Sequence, residues 1–150
     1  MCIRDRNIDS AINNYLPFKI YNPDFPDEEI TIKQLATHTS SLDYNEYVVE
    51  SLYTKQPDLN NSLEIFMLNY FQNGKFGDIT FTNDKPGANW NYSNIGAALA
   101  AYIIERTSGV PFSEFTQTYI FNPLELNNTC LLYTSPSPRD RTRSRMPSSA

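Results

Sequence analysis

Between Asn7 and Thr129 this 150-residue chain has no cysteine, and its two cysteines, Cys2 and Cys130, fall just outside that stretch. A disulfide within those residues is excluded. No apolar run approaches the ~20 residues that a membrane-spanning helix needs. No secretory leader is visible at the start, although a piece cut from a longer gene would not carry its own. No histidine, cysteine or carboxylate cluster has metal-ligand spacing, and no glycine-rich phosphate loop occurs, so neither a metal nor another cofactor is expected.

Positive charge is scarce where it would matter. All five lysines lie between Lys19 and Lys85, whereas six of the seven arginines lie in residues 1–6 or 139–145. Residues 7–129 therefore carry 15 acidic against 6 basic side chains, a formal charge of −9 compared with −5 for the whole chain. Such a surface repels polyanions, so no nucleic-acid partner is expected. What the chain does have is apolar and aromatic: 40% hydrophobic residues with ten tyrosines and nine phenylalanines, which suits one packed domain rather than disorder.

The arginine-rich ends have an independent explanation. Met1-Cys2-Ile3-Arg4-Asp5-Arg6 can be encoded by ATG TGT ATA AGA GAC AG plus one base. The complementary strand, read from its second base as TGT CTC TTA TAC ACA T, encodes Cys130-Leu131-Leu132-Tyr133-Thr134 and the first base of a serine codon. One inverted DNA element accounts for both termini. Residues 1–6 and 130–150 are thus expected to be translated sequencing adapters, the latter disordered, around a partial domain at 7–129. The alternative is a natural basic tail; source reads that continue as genomic sequence would favour it.

Within 7–129, Asn7 to Tyr15 reads as a short helix with Ile8, Ile12 and Tyr15 on one face, followed by a loop broken by Pro23 and Pro26. Thr31-Ile32-Lys33-Gln34 matches a capping box and starts a second helix presenting Ile32, Leu35 and Ala36. That helix runs into the polar segment His38-Thr39-Ser40-Ser41. Asp43 to Leu52 reads as helical. In Ser62 to Phe71, Leu63, Phe66, Met67 and Tyr70 recur at helical spacing, with Gly74 as a stop. Phe76 to Thr82 reads as loop with extended character. Asn94 to Thr107 is the strongest helix, capped by Ser93 or Asn94, lined by Ile95, Leu99, Tyr102 and Ile103, and ended by Gly109. A last helix from Pro111 carries Phe112, Phe115 and Tyr119 before Pro123.

The chemistry-bearing stretch is Pro86-Gly87-Ala88-Asn89-Trp90-Asn91-Tyr92-Ser93-Asn94, a turn that delivers Tyr-Ser-Asn onto a helix start. Tyr92 can relay a proton if cationic groups favour its phenolate, since a free phenol has a pKa of ~10. Asn94 offers an amide with donors and an acceptor for a substrate carbonyl and a neighbouring lysine. Buried packing is the commoner fate of a tyrosine after a tryptophan. His38, the only histidine, invites a general-base reading, yet its place at a helix-to-loop junction favours fixing the turn. Neither Ser40 nor Ser41 has a lysine three residues later, so neither reads as a nucleophile. The Asn60, Asn91 and Asn127 glycosylation patterns are what an asparagine-rich stretch yields by chance.

Three segments in order resemble the serine beta-lactamase-like family of class C beta-lactamases, D-alanyl-D-alanine carboxypeptidases and related esterases. Ile30 to Leu42 is similar to its Leu-Leu-x-His-Thr-Ser-Gly-Leu segment, Pro86 to Asn94 to its Pro-Gly-x-x-Trp-x-Tyr-Ser-Asn element, and Ile120 to Leu126 to its Phe-x-Pro-Leu-Gly-Met segment. Ser41 and Glu125 stand where that pattern has glycine, which bears on local backbone shape.

The resemblance implies an α/β (α+β) beta-lactamase/transpeptidase-like fold, of which this fragment covers mainly the helical part, with most of the antiparallel sheet missing. It implies acyl transfer through a serine ester on an ester, amide or beta-lactam, with Tyr92 catalytic, Asn94 substrate-binding, and a small-molecule or peptide substrate. The nucleophilic Ser-x-x-Lys belongs upstream of Asn7, and the Lys-Thr-Gly-like strand downstream of Thr129, so the chain alone is expected to be inactive and aggregation-prone. A periplasmic or secreted location in bacteria is what the same resemblance implies. A non-catalytic ligand-binding relative and a self-contained helical interaction domain are the other readings.

Overall fold

In the computed structural model, which describes residues 7–43, 62–72 and 80–131, Thr31 opens the first helix with a reciprocal cap. Its hydroxyl accepts the Gln34 N–H at 3.2 Å while Gln34 Oε1 accepts the Thr31 N–H at 2.9 Å. Two donors that a helix start leaves unpaired are thus satisfied, as the capping-box pattern predicts. Helix α1 runs Ile32–Ala36 and buries Leu35. Ile32 is half-buried and Ala36 exposed, which corrects the expected three-residue apolar face. The reason is angular: at 3.6 residues per turn Ala36 sits about 100° round the axis from Leu35, whereas Ile32 sits about 60° away.

The expected helix from Asn7 to Tyr15 is also corrected. Only Ile12–Asn14 is helical, as a single 3₁₀ turn. The preceding backbone pairs instead with the segment leading into α1: Ile12 N–H donates to Ile30 O, Ile32 N–H to Ser10 O and Lys33 N–H to Ile8 O, at 2.8 to 3.1 Å. Carbonyls committed to that pairing, with Ala11 bridged to Thr31, are lost to an i to i+4 ladder. Ile12 is fully buried, but Ile8 stays exposed.

Helix α2, Leu63–Phe71, is capped by Ser62, whose Oγ accepts the Ile65 N–H at 3.3 Å, and it buries Met67 and Tyr70. Gly74, the Asp43 to Leu52 helix apart from Asp43, and most of Phe76 to Thr82 lie outside the described residues. Phe81 has the extended character expected, forming an isolated antiparallel bridge with Leu42. Helix α3 runs Asn94–Ser108, one residue beyond the expected end, from the Ser93 cap to Gly109 at φ 77°. Ile95, Leu99, Tyr102 and Ile103 are all buried on it. Both α1 and α2 pack on α3, and the core joins those residues to Leu35, Leu42, Met67, Phe18 and Ile30.

The chain divides into two compact units, Met1–Phe112 and Ser113–Ala150. Helix α4, Phe112–Thr116, leads at its end into a π-helical turn, Gln117–Phe121. Phe115 is buried, but Tyr119 is 62% exposed with its ring 4.9 Å from Phe115, so the expected uniform apolar face stops at Phe115. Pro123 has no N–H with which to continue the α ladder, and the Asn122 N–H bonds Gln117 O five residues back. Among the described residues there is no strand beyond isolated bridges, and no helix is long and apolar enough to cross a membrane.

Candidate active site

Gly87 makes the turn that carries the Tyr-Ser-Asn triplet. Its φ is 92°, so the backbone favours glycine, and a Cβ there would lie 2.9 Å from Gln34 Nε2 and push that side chain aside. The Gly87 N–H donates to Thr39 O at 2.7 Å, and four residues later the Asn91 N–H donates to His38 O at 2.8 Å. These two bonds lay the Pro86 to Asn94 segment along the polar loop that follows α1. Asn91 adds its side chain, donating to Asp43 Oδ1 at 2.9 Å. Ser93 turns inward: its Oγ accepts the Gly96 N–H at 3.1 Å and donates to Asp43 O at 3.4 Å.

Tyr92 is therefore held between two neighbours bound to one loop while its own side chain is 47% exposed. Its hydroxyl donates to Asn94 Oδ1 at 2.8 Å, which brings together the two residues singled out from the sequence. Trp90, 67% exposed, stands two positions away. The His38 ring centre lies 4.8 Å from that of Tyr92 and 6.3 Å from that of Trp90. His38 itself has φ 55°, and its Nδ1 accepts the Ser93 N–H at 3.3 Å. It fixes the turn, as its position implied, but by accepting an amide proton rather than by donating to a carbonyl. Ser40 and Ser41 are buried at 2% and 4% exposure, out of reach of a substrate.

Ser41 and Glu125, the two residues standing where the resembled pattern has glycine, have φ of 61° and 54°. Both occupy the left-handed region that side chains other than Asn, Asp and Gly enter at a cost.

Sequence reasoning missed Asn22. Fully buried, it directs Nδ2 at Ser41 Oγ (3.1 Å), Thr82 O (3.0 Å) and Asp84 O (3.2 Å), while its Oδ1 accepts the Asp24 N–H at 3.0 Å. Asp84 in turn accepts from Asn89 Nδ2 at 2.9 Å, so Asn22 anchors the start of the Pro86 to Asn94 turn. The sequence signal was Asn22-Pro23-Asp24, in which an asparagine side chain bonds the backbone two residues on.

Two phenols lie away from this turn and are pushed above the ordinary tyrosine value. Burial does so for Tyr70, with the Asp43 carboxylate adding and a hydrogen bond to Thr80 opposing. For Tyr102 burial acts first, then the charge of Glu64, whose Oε1 accepts the hydroxyl proton at 3.2 Å, with Arg106 opposing.

A Tyr-Ser-Asn turn laid along a His-Thr-Ser loop, at the head of the central helix, defines the serine beta-lactamase/transpeptidase-like class. The chain belongs to the Beta-lactamase family, whose profile matches residues 4–150. It is 33% identical over 108 residues to a penicillin-binding protein of Bacillus subtilis, covering 71% of this chain and 22% of that protein. The penicillin binding protein from Bacillus halodurans superposes with a TM-score of 0.59 at 27% identity, over 87% of this chain and 36% of the other. A beta-lactamase/D-alanine carboxypeptidase from Yersinia pestis, at 22% identity, shares the fold with a TM-score of 0.61 over 92% of this chain and 36% of its own. The fold is accordingly α/β (α+β), with the described residues forming mainly its helical part. The chain spans about a fifth to a quarter of the length of the curated relatives it matches.

Proposed function

We propose that residues 7–129 are part of a serine hydrolase that acts through an acyl-enzyme on an ester, amide or beta-lactam, and that the 150-residue chain is inactive by itself. The observation that carries this reading is the 2.8 Å bond between the exposed Tyr92 hydroxyl and Asn94, at a turn tied to the His38 to Asp43 loop. In the complete protein a serine Oγ attacks the substrate carbonyl carbon while Tyr92, as phenolate, takes the serine proton. The tetrahedral intermediate collapses, the bond to the leaving group breaks, and Tyr92 returns the proton to that group. Water then attacks the ester and restores the serine. Asn94 holds the substrate carbonyl through its amide N–H groups. The parent is an exported bacterial protein on this reading.

The nucleophile and its lysine are not in this chain, which has no Ser-x-x-Lys. The purified chain should therefore take up neither a fluorophosphonate nor a fluorescent penicillin, and the complete gene should encode Ser-x-x-Lys ahead of the codon for Asn7. Labelling of the chain itself would overturn the first statement. A gene without that motif would overturn the second and favour a non-catalytic ligand-binding relative, a reading supported by the Bacillus subtilis relative's description as penicillin-binding.

A further inference from the structure

Tyr92 is the exposed member of the triplet, yet the elements that fix its place act on its neighbours. Asn91 and Ser93 both bond one residue, His38: the Asn91 N–H to its carbonyl oxygen at 2.8 Å, the Ser93 N–H to its ring Nδ1 at 3.3 Å. The imidazole also lies 4.8 Å from the phenol ring, tilted by 42°. We infer that His38 is the positioning residue for Tyr92, acting through the Nε2–H tautomer of a neutral imidazole. This rests on the proposed role of Tyr92 and adds the group that aims it.

Residue 38 must supply more than a backbone shape. Its φ of 55° is one that glycine and asparagine also adopt, so backbone shape alone does not single out histidine. The buried Ser93 N–H needs an acceptor at the N-cap of α3, where no intrahelical partner exists. An imidazole meets that need only with Nδ1 unprotonated, which puts the ring proton on Nε2. The same ring then packs against Tyr92, tilted by 42°. Backbone oxygen, ring nitrogen and ring together grip three consecutive residues, so the phenol is aimed through its neighbours as well as through the bond from its hydroxyl to Asn94. Among the described residues, Asp43 is a charged group bonded to this grip: its carboxylate accepts from Asn91 and its carbonyl from Ser93.

The test uses the full 150-residue chain, which has a single histidine and a single tryptophan. Nitrogen NMR of the imidazole in the unmodified chain should show Nε2 protonated and Nδ1 bare; a protonated Nδ1 at neutral pH overturns the inference. His38→Gly relaxes the backbone but removes the acceptor, and His38→Asn keeps an acceptor and tolerates the same φ. Exchange of the Ser93 amide should quicken roughly five- to tenfold in the glycine variant, the equivalent of one net hydrogen bond. It should return toward the original rate in the asparagine variant. Ring-proton shifts of Tyr92 should move in both variants, because both lose the imidazole. Leu99 and Ile103 amides in α3 report whether the helix stays folded. Unchanged Ser93 exchange in His38→Gly, or equal acceleration in both variants, would reject the inference. These readouts involve no substrate, so their failure leaves the hydrolase reading standing, and a missing Ser-x-x-Lys leaves them untouched.

Discussion

The Tyr92 hydroxyl donates a hydrogen bond to Asn94 Oδ1 at 2.8 Å, across the Ser93 N-cap that opens α3. Proton abstraction by a phenol requires a cationic neighbour that favours the phenolate. Replacing Tyr92 by phenylalanine in the complete enzyme removes the relay but leaves the ring. The expected outcome is a fall in kcat of about 10²- to 10⁴-fold, the range of a lost general acid–base group, with KM little changed. Steady-state kinetics on an ester substrate measures it, and a loss confined to KM would assign Tyr92 to binding.

Asn22 joins three loops from a fully buried position. Alanine there removes a donor facing three oxygens and the acceptor of the Asp24 N–H. We expect about 2 to 3 kcal/mol of lost stability, expressed first as faster amide exchange at Gly87 and Asn91, whose partners lie on the same loop. Exchange unaltered at Gly87 would show that the turn holds without Asn22.

Local signals account for much of what the sequence disclosed. Thr31, Ser93 and Gly109 each carry a cap chemistry that acts within four residues, and the structure has all three in place. Elements settled by distant partners were not legible. Asn7 to Tyr15 has helical spacing, but the Ile8 and Ser10 carbonyls accept from the Lys33 and Ile32 N–H groups, and the Ile12 N–H donates to Ile30 O. Asn22 reads as a loop residue because its three acceptors lie 19, 60 and 62 positions away. Within the site, Tyr92 and Asn94 were legible because they are two residues apart. The grip of His38 on Ser93 spans 55 positions and was not.

Tyr70 and Tyr102 give the chain an alkaline limit. Both phenols are raised above the unfolded value of ~10, so their contribution to stability is complete below that pH. As pH climbs past ~10 the unfolded chain ionises first, and stability falls until the folded phenols ionise too, at up to ~1.4 kcal/mol per pH unit for each tyrosine. Circular dichroism should show helix retained at pH 9 and lost progressively above pH ~10. Tyr70→Phe should reduce that loss, since lysine ionisation is common to both proteins. An identical alkaline profile in the variant would refute the assignment.

Ser41 and Glu125 have the same backbone conformation, φ 61° and 54°, but different side-chain partners, so the same substitution should act differently at each. A left-handed residue other than glycine costs roughly 1 to 2 kcal/mol, against about 0.5 to 1 kcal/mol of extra chain entropy for glycine. Glu125 is exposed, so Glu125→Gly should stabilise its turn by about 0.5 to 1 kcal/mol. That gain should appear as slower exchange of the Leu126 amide, which donates to Phe121 O at 2.9 Å. Ser41 is buried and its Oγ accepts from Asn22 Nδ2 at 3.1 Å. Ser41→Gly loses that bond, worth about 1 kcal/mol, and the relief of backbone strain offsets it, leaving a change within ~0.5 kcal/mol. Should Ser41→Gly prove the more stabilising of the two, the Asn22 bond contributes little and strain dominates at both turns.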